Sequence, residues 1–153
     1  MTSHLFTLLC HLLACSKPQV TTEIEHDLPG FWTGARLIQD FNQETCNEDM
    51  DEVTANAPKA STKIVEGNLI LTYPNAHFRC DQSVQGFIKQ RDDRYAVLVQ
   101  PIEMNPVMVA KCDCGYTLTA TLPNVTANEI RLFHRGDNHD GEATIREITV
   151  EHQ

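Results

Sequence analysis

Fifteen residues, from Met108 to Leu122, alternate between two kinds of side chain. In a β-strand, successive side chains point to opposite faces of the sheet, so every second residue here shares a face. One face would carry mainly charged residues and threonines, and the other would carry Met108, Ala110, Cys112, Cys114, Tyr116, Leu118, Ala120 and Leu122. The pattern predicts a long central strand whose two cysteines face the core.

Shorter β-rich runs with turn signals between them precede and follow this strand. Runs of this kind are typical of strands in sandwiches and barrels. They are Lys63–Tyr73, His77–Cys80, Val84–Gln90, Tyr95–Gln100, Val107–Leu122 (which contains the long strand), Glu129–Arg135 and Glu142–Glu151. The sequence therefore predicts an all-β fold, a single small antiparallel sandwich or barrel of about seven to eight strands.

Several polar segments between these runs are predicted to be turns. Gln90–Arg94 and Gly136–Gly141 are expected to form hairpin loops, and Pro74–Asn75 and Pro123–Asn124 mark other turns. Short turns of this kind favour neighbouring strands that follow one another in an antiparallel meander.

The last run changes its alternation. Ala143 and Ile145 fall on one face of a regular strand, whereas Ile148 and Val150 fall on the other. One extra residue in a strand would bring all four to the same face, so we predict a β-bulge near Arg146–Glu147.

The amino terminus has the character of an export signal. Leu5–Ala14 is apolar except for Thr7 and His11. It matches the apolar region of a signal peptide and is only half as long as the ~20 residues that a membrane-spanning helix needs. The run ends at Ala14, directly before Cys15.

Leu12, Ala14 and Cys15 occupy the positions that define the lipobox, and in this the segment resembles the bacterial lipoprotein signal. The resemblance implies that residues 1–14 are a signal peptide, and that Cys15 carries acyl chains such as palmitate. The protein would be exported and anchored by lipid to the cell membrane or outer membrane, facing the periplasm or exterior. Ser16 in place of Asp implies the outer membrane in a Gram-negative envelope. The alternatives are an ordinary secretory signal and a buried amino-terminal helix.

One domain follows this signal. Residues 15–30 contain two prolines and scattered charge, which predicts a tether, and residues 31–153 form the β-domain. Phe31–Ile38 is expected to be a first strand with Trp32 as a core anchor, or else a short helix. Residues 43–62 are acidic and rich in small side chains, which predicts a long loop that contains Cys46.

The chain has six cysteines, of which Cys10 lies in the signal and Cys15 is the lipidation site. Two cysteines at alternate positions of one strand lie ~6.6 Å apart with parallel side-chain directions, which is poor geometry for a mutual disulfide. We therefore predict two disulfides, in which Cys112 and Cys114 each pair with Cys46 or Cys80. Disulfides indicate an oxidising compartment.

Metal sites or redox chemistry are the alternatives to two structural disulfides. His77, Cys80, Cys112 and Cys114 could supply one nitrogen and three sulfurs to zinc or copper, or the cysteines could be redox-active.

Gly136–Glu147 partly matches a calcium loop through Asn138, Asp140 and Glu147, but Gly136 stands where the first acidic ligand is required. A plain hairpin is therefore favoured. An acidic cluster could also hold a divalent ion; its members are Glu44, Glu48, Asp49, Asp51 and Glu52.

Charge and motifs narrow the classes of function. The net charge of −9 argues against a nucleic-acid partner, because phosphates require a basic surface. No nucleophile elbow, zinc-protease helix or phosphate-binding glycine loop occurs, and His77, His134 and His139 are expected at the surface or satisfied in the core. The sequence therefore predicts a membrane-anchored lipoprotein whose non-catalytic β-domain needs no cofactor. Its role would be structural, or the binding of an envelope protein or a small apolar ligand. The alternative is an exported metal-binding or redox-active protein.

Overall fold

The computed structural model describes residues 27–49, 59–103, 112–125, 130–137 and 143–153. These residues form ten strands and a short 3₁₀ turn, Gly30–Trp32. The strands are β1 (Arg36–Leu37), β2 (Phe41–Gln43), β3 (Ala60–Val65), β4 (Asn68–Arg79), β5 (Val84–Arg91), β6 (Arg94–Pro101), β7 (Asp113–Pro123), β8 (Ile130–Asp137), β9 (Ala143–Ile148) and β10 (Val150–His152). None of the described residues belongs to a helix long and apolar enough to cross a membrane.

The strands form two sheets of five, ordered β1-β5-β6-β8-β9 (the first sheet) and β10-β3-β4-β7-β2 (the second sheet). The predicted all-β class is confirmed, with ten strands in place of seven or eight. Most pairings are antiparallel, but β6 pairs with β8 and β10 pairs with β3 in parallel. The expectation of a purely antiparallel arrangement is wrong there, because the chain changes sheets immediately before β8 and before β10.

The chain itself joins the edges of the two sheets on both sides. On one side β1, at the edge of the first sheet, leads into β2, at the edge of the second. On the other side β9 leads into β10 through Thr149 alone. Each of these four edge strands is therefore held by a short connection to an edge strand of the other sheet.

A single apolar core contains residues from both sheets. The alternation predicted for the long strand is confirmed, since five residues of β7 are at most 5% exposed: Cys114, Tyr116, Leu118, Ala120 and Leu122. The prediction that Cys112 also faces the core is wrong, because β7 begins only at Asp113 and Cys112 is exposed. Met108–Ala110 lie outside the described residues.

The predicted turns have mixed outcomes. Asp92 and Asp93 form the tight turn between β5 and β6, and Asn124 ends β7 with a φ of 58°. Pro74–Asn75, in contrast, is not a turn: both residues lie inside β4, where the register with β7 shifts between Tyr73 and Ala76. A bulge tolerates proline because the extra residue is not part of the hydrogen-bond ladder.

The predicted run Lys63–Tyr73 is not one strand, because it contains the hairpin turn between β3 and β4. Glu66 and Gly67 have φ values of 49° and 79°, which suit the two-residue turn between β3 and β4.

The bulge predicted near Arg146–Glu147 is also wrong. The strand β9 pairs with β8 in unbroken register, from Leu132–Ile148 to Asp137–Ala143. The alternation changes within β9 because Ala143 and Ile145 lie on its exposed face, whereas Ile148 lies on the buried face. The pairing of β8 with β9 agrees with a hairpin at Gly136–Gly141, of which residues 138–141 lie outside the described part.

The segment Asp27–Ala35, here called the strap, crosses the outer face of the first sheet. Trp32 is 2% exposed and packs in a second apolar cluster with Phe87 and Leu98, so it is an anchor outside the main core. The described chain already contacts the sheet at Asp27, four residues before the predicted start of the domain.

Candidate functional site

The cysteines predicted to cross-link the domain lie together at one end of the second sheet, here called the disulfide end. Cys46 is bonded to Cys114 and Cys80 to Cys112, with Cα–Cα distances of 5.3 and 5.6 Å. The prediction that Cys112 and Cys114 each pair with Cys46 or Cys80 is therefore confirmed.

Strand register brings these pairs together. Cys80 directly follows β4 and Cys112 directly precedes β7, and Arg79 and Asp113 are the last residues paired between these strands. The Cys80 N–H donates a hydrogen bond of 3.1 Å to the Cys112 carbonyl. Cys46 follows β2 and lies beside the bridge between Asn47 and Gly115, which places it next to Cys114.

The three cysteines of the alternative metal set are bonded in disulfides. The sulfurs of these disulfides are not the thiolates that bind zinc or copper. The remaining candidate, His77, lies with its Nε2 3.7 Å from Asp113 Oδ1. Among the described residues no group of three or more His, Cys, Asp or Glu side chains is placed to hold a metal ion.

The two acidic candidates are only partly described. Asn138 and Asp140 lie outside the described residues, and Glu147 accepts hydrogen bonds of 2.7 and 2.6 Å from Arg131. The Arg131 guanidinium lowers the pKa of the Glu147 carboxyl.

The predicted bounds of the loop 43–62 are wrong at both ends, because β2 includes Gln43 and β3 begins at Ala60; residues 50–58 lie outside the described part. Of its acidic cluster, Glu44, Glu48 and Asp49 are described, and Asp51 and Glu52 are not.

A buried polar pair joins the two sheets. The Tyr73 hydroxyl lies 3.0 Å from His134 Nδ1, and the two residues are 1% and 3% exposed. Phe78 stacks on the imidazole at 4.2 Å between ring centroids. Tyr73 belongs to β4 in the second sheet and His134 to β8 in the first, so this Tyr–His pair is a hydrogen-bonded link through the core.

Both members of the pair are neutral. Burial raises the pKa of Tyr73 to about 12, and burial together with the Arg146 guanidinium lowers the pKa of His134 to about 3. The tyrosine therefore retains its proton and can donate it to Nδ1 of the imidazole tautomer that carries its own proton on Nε2. A neutral, enclosed pair of this kind specifies how the sheets pack.

The sequence left His134 either at the surface or satisfied in the core, and the second alternative is correct. The sequence signal for this burial was that His134 lies at alternate positions with Ile130 and Leu132, which are also buried.

A second polar cluster holds the start of the strap. Arg135 donates from Nη1 to the Asp27 carbonyl and, at 3.2 Å, to Gln100 Oε1. Its Nη2 lies 3.3 Å from Asp27 Oδ2. The strap therefore begins near the end of the first sheet that adjoins the disulfide end. It runs towards the opposite end, where the Lys89 ammonium donates to the carbonyl of Thr33.

An open cleft of about 1540 Å³ lies at that opposite end, here called the cleft end. It lies between the segment Thr33–Asp40 and the ends of β5, β6 and β7. Ile38, Ile88, Leu122 and Val125 contribute apolar walls, and Arg36 supplies a cation. Ligand sites combine apolar walls with a few polar groups, so this cleft is the candidate ligand site among the described residues.

The chain matches no protein-family model, no curated protein and no solved structure.

Proposed function

We propose that the chain is an exported lipoprotein whose β-domain has a binding or structural role in the cell envelope, and not a catalytic one. The observation that best supports export is the presence of two disulfides in one small domain. Disulfides persist in oxidising compartments and are rare in the cytosol. They use all four cysteines of the domain and leave Cys15 for lipidation, in agreement with the lipobox.

The proposed anchor would hold the domain near the membrane surface. Asp27 is the first described residue in contact with the sheets, so residues 16–26 would separate the lipidated Cys15 from the domain. These residues span at most about 40 Å when extended. Several acyl chains on one cysteine give stable anchoring, whereas a single chain binds only marginally.

We further propose that the two sheets form one sandwich, and that its cleft end binds a small apolar ligand or an envelope protein. The shared core and the chain connections between the edges support a sandwich. Phe31, Leu37, Ile64 and Val65 are large exposed apolar residues that lie on or near this end. Exposed apolar groups beside a cleft are typical of binding surfaces.

The anchor is tested by expressing the chain with Cys15→Ser and, as a matched control, with Cys10→Ser. Intact mass and metabolic labelling with palmitate are measured in the membrane fraction. We expect label and acyl mass in the parent and in the Cys10→Ser variant, and neither in the Cys15→Ser variant. A secreted chain cut near Ala14 with an unmodified Cys15 would contradict the lipoprotein proposal and support an ordinary secretory signal.

An exported metal-binding or redox-active protein is the second candidate, and the exposure of Cys112 favours its redox form. Intact mass under non-reducing conditions separates the first candidate from the metal-binding form of the second. The first requires the loss of four protons from the four domain cysteines and no bound metal, whereas a metal-loaded chain with free thiols would support the second.

A further inference from the structure

The two disulfides differ in how far solvent reaches them. Cys46 and Cys80 are both half-buried, but their partners differ: Cys112 is exposed, whereas Cys114 is 0% exposed inside β7. A thiolate opens a disulfide only if it can reach one of the sulfurs, so access decides which bond exchanges. We propose that Cys80–Cys112 is a thiol–disulfide exchange site for an external dithiol and that Cys46–Cys114 is not.

The position of Cys80–Cys112 allows the bond to open without unfolding. Both cysteines lie just outside their strands, one after β4 and the other before β7. The hydrogen bond from the Cys80 N–H to the Cys112 carbonyl and the pairing of Arg79 with Asp113 remain after the sulfurs separate. Cys114 lies inside β7, opposite Phe78, so attack on the half-buried Cys46 would leave a charged Cys114 sulfur in the core, which burial disfavours.

The exchange proceeds in two balanced steps. A thiolate of the dithiol attacks Sγ of Cys112, a new S–S bond forms, and the bond to Cys80 breaks with its electron pair leaving on the Cys80 sulfur. The second thiol of the reagent then attacks the reagent's own sulfur in this mixed disulfide and releases Cys112. The dithiol is oxidised to a disulfide, and the protein gains two electrons and two protons.

This inference deepens the redox form of the second candidate function and does not depend on the lipid anchor. It specifies which of the two disulfides the redox alternative would use. A dithiol is the favoured class of co-substrate because its second thiol resolves the mixed disulfide intramolecularly.

The test treats the oxidised, full-length protein with dithiothreitol, quenches at intervals with an alkylating reagent and maps the modified peptides by mass. We expect Cys80 and Cys112 to be alkylated about tenfold faster than Cys46 and Cys114, or more. The faster rate should not change in urea below the unfolding transition, since local access requires no global opening. Equal rates, the opposite order, or a rate that follows global unfolding would overturn the proposal.

Two variants provide an independent readout. Cys80→Ser leaves the exposed Cys112 thiol, and Cys46→Ser leaves the buried Cys114 thiol. An aromatic disulfide reagent should label the first variant without denaturant and the second only after denaturation, each corrected for labelling of the parent chain. Labelling of both variants at the same rate would contradict the proposal. If Cys46→Ser does not fold, the peptide mapping of the parent chain still decides between the outcomes.

Discussion

At the scale of single residues, the Tyr–His pair is a polar contact whose two members are both fully enclosed in the core. A buried polar atom that loses its hydrogen-bond partner keeps its desolvation penalty, which exceeds the net contribution of an average hydrogen bond. Tyr73→Phe leaves His134 Nδ1 without its tyrosine partner. We expect it to lower the free energy of unfolding by about 1–3 kcal/mol in urea titrations.

Tyr116→Phe is the matched control for this prediction. The Tyr116 hydroxyl donates to the Cys80 carbonyl at 3.1 Å in a partly buried position. Water can replace that partner, so the loss should be smaller, about 0.5–1.5 kcal/mol. An equal or larger effect at Tyr116 would contradict a special role for the Tyr–His pair.

The same pair predicts how stability depends on pH. The lowered pKa of His134, about 3 against an ordinary 6.5, means that acid protonates the unfolded chain before the folded one. Stability should therefore fall as the pH decreases from about 6.5 towards 3, by at most about 1.4 kcal/mol per pH unit. In urea titrations at several pH values, Tyr73→Phe keeps the imidazole and should keep this slope, whereas His134→Gln should lose it. A slope unchanged by His134→Gln would assign the acid sensitivity to other groups.

Gly86 in β5 packs against the corner between β1 and β2, and a substitution there tests how close this packing is. A Cβ at Gly86 would lie 2.6 Å from the Phe41 ring and 3.1 Å from Ile38, whereas a Cβ at Gly30 would meet nothing within 4 Å. We expect Gly86→Ala to lower the free energy of unfolding by about 1–3 kcal/mol through overpacking. Gly30→Ala should change it by less than about 0.5 kcal/mol, as surface substitutions usually do. Thermal unfolding of both variants measures the difference, and equal stability would show that Phe41 moves aside freely.

At the scale of elements, the sequence predicts what is local and misses what depends on distant partners. Alternation along β7 identified its core face, because side-chain direction in a strand is set by neighbours in the chain. Pro74–Asn75 has the composition of a turn, yet the pairing of β4 with β7 continues across it as a bulge. The apparent bulge in the last run came from Ala143 and Ile145, which are apolar but lie on the exposed face of β9. The link between Tyr73 and His134 spans 61 positions, and nothing local in the sequence indicates it.

The two disulfides close loops of different length, so their contributions to stability should differ. Cys46–Cys114 spans 68 positions and Cys80–Cys112 spans 32. Chain entropy alone makes the longer cross-link more stabilising by about 0.7 kcal/mol, within contributions of about 2–4 kcal/mol each. We expect the double variant Cys46→Ser/Cys114→Ser to unfold at lower urea than Cys80→Ser/Cys112→Ser. The opposite order would show that strain or residual structure, and not loop length, controls the contribution of these bonds.

At the scale of the whole molecule, the strap connects the proposed anchor to a fold whose main core contains none of the strap's residues. Its contacts include the Arg135 cluster near the disulfide end, the Lys89 ammonium at the other end, and the packing of Trp32 against Phe133, with ring centroids 5.5 Å apart. Since Trp32 belongs to the second apolar cluster, Trp32→Ala should release the strap and leave the main core intact. Limited proteolysis should then cut within residues 27–35 of the variant but not of the parent chain. Phe31→Ala is the control, because Phe31 is 55% exposed and should protect the strap little. If Trp32→Ala instead unfolds both sheets together, the strap is part of the cooperative core, and a load on the tether would act directly on the domain.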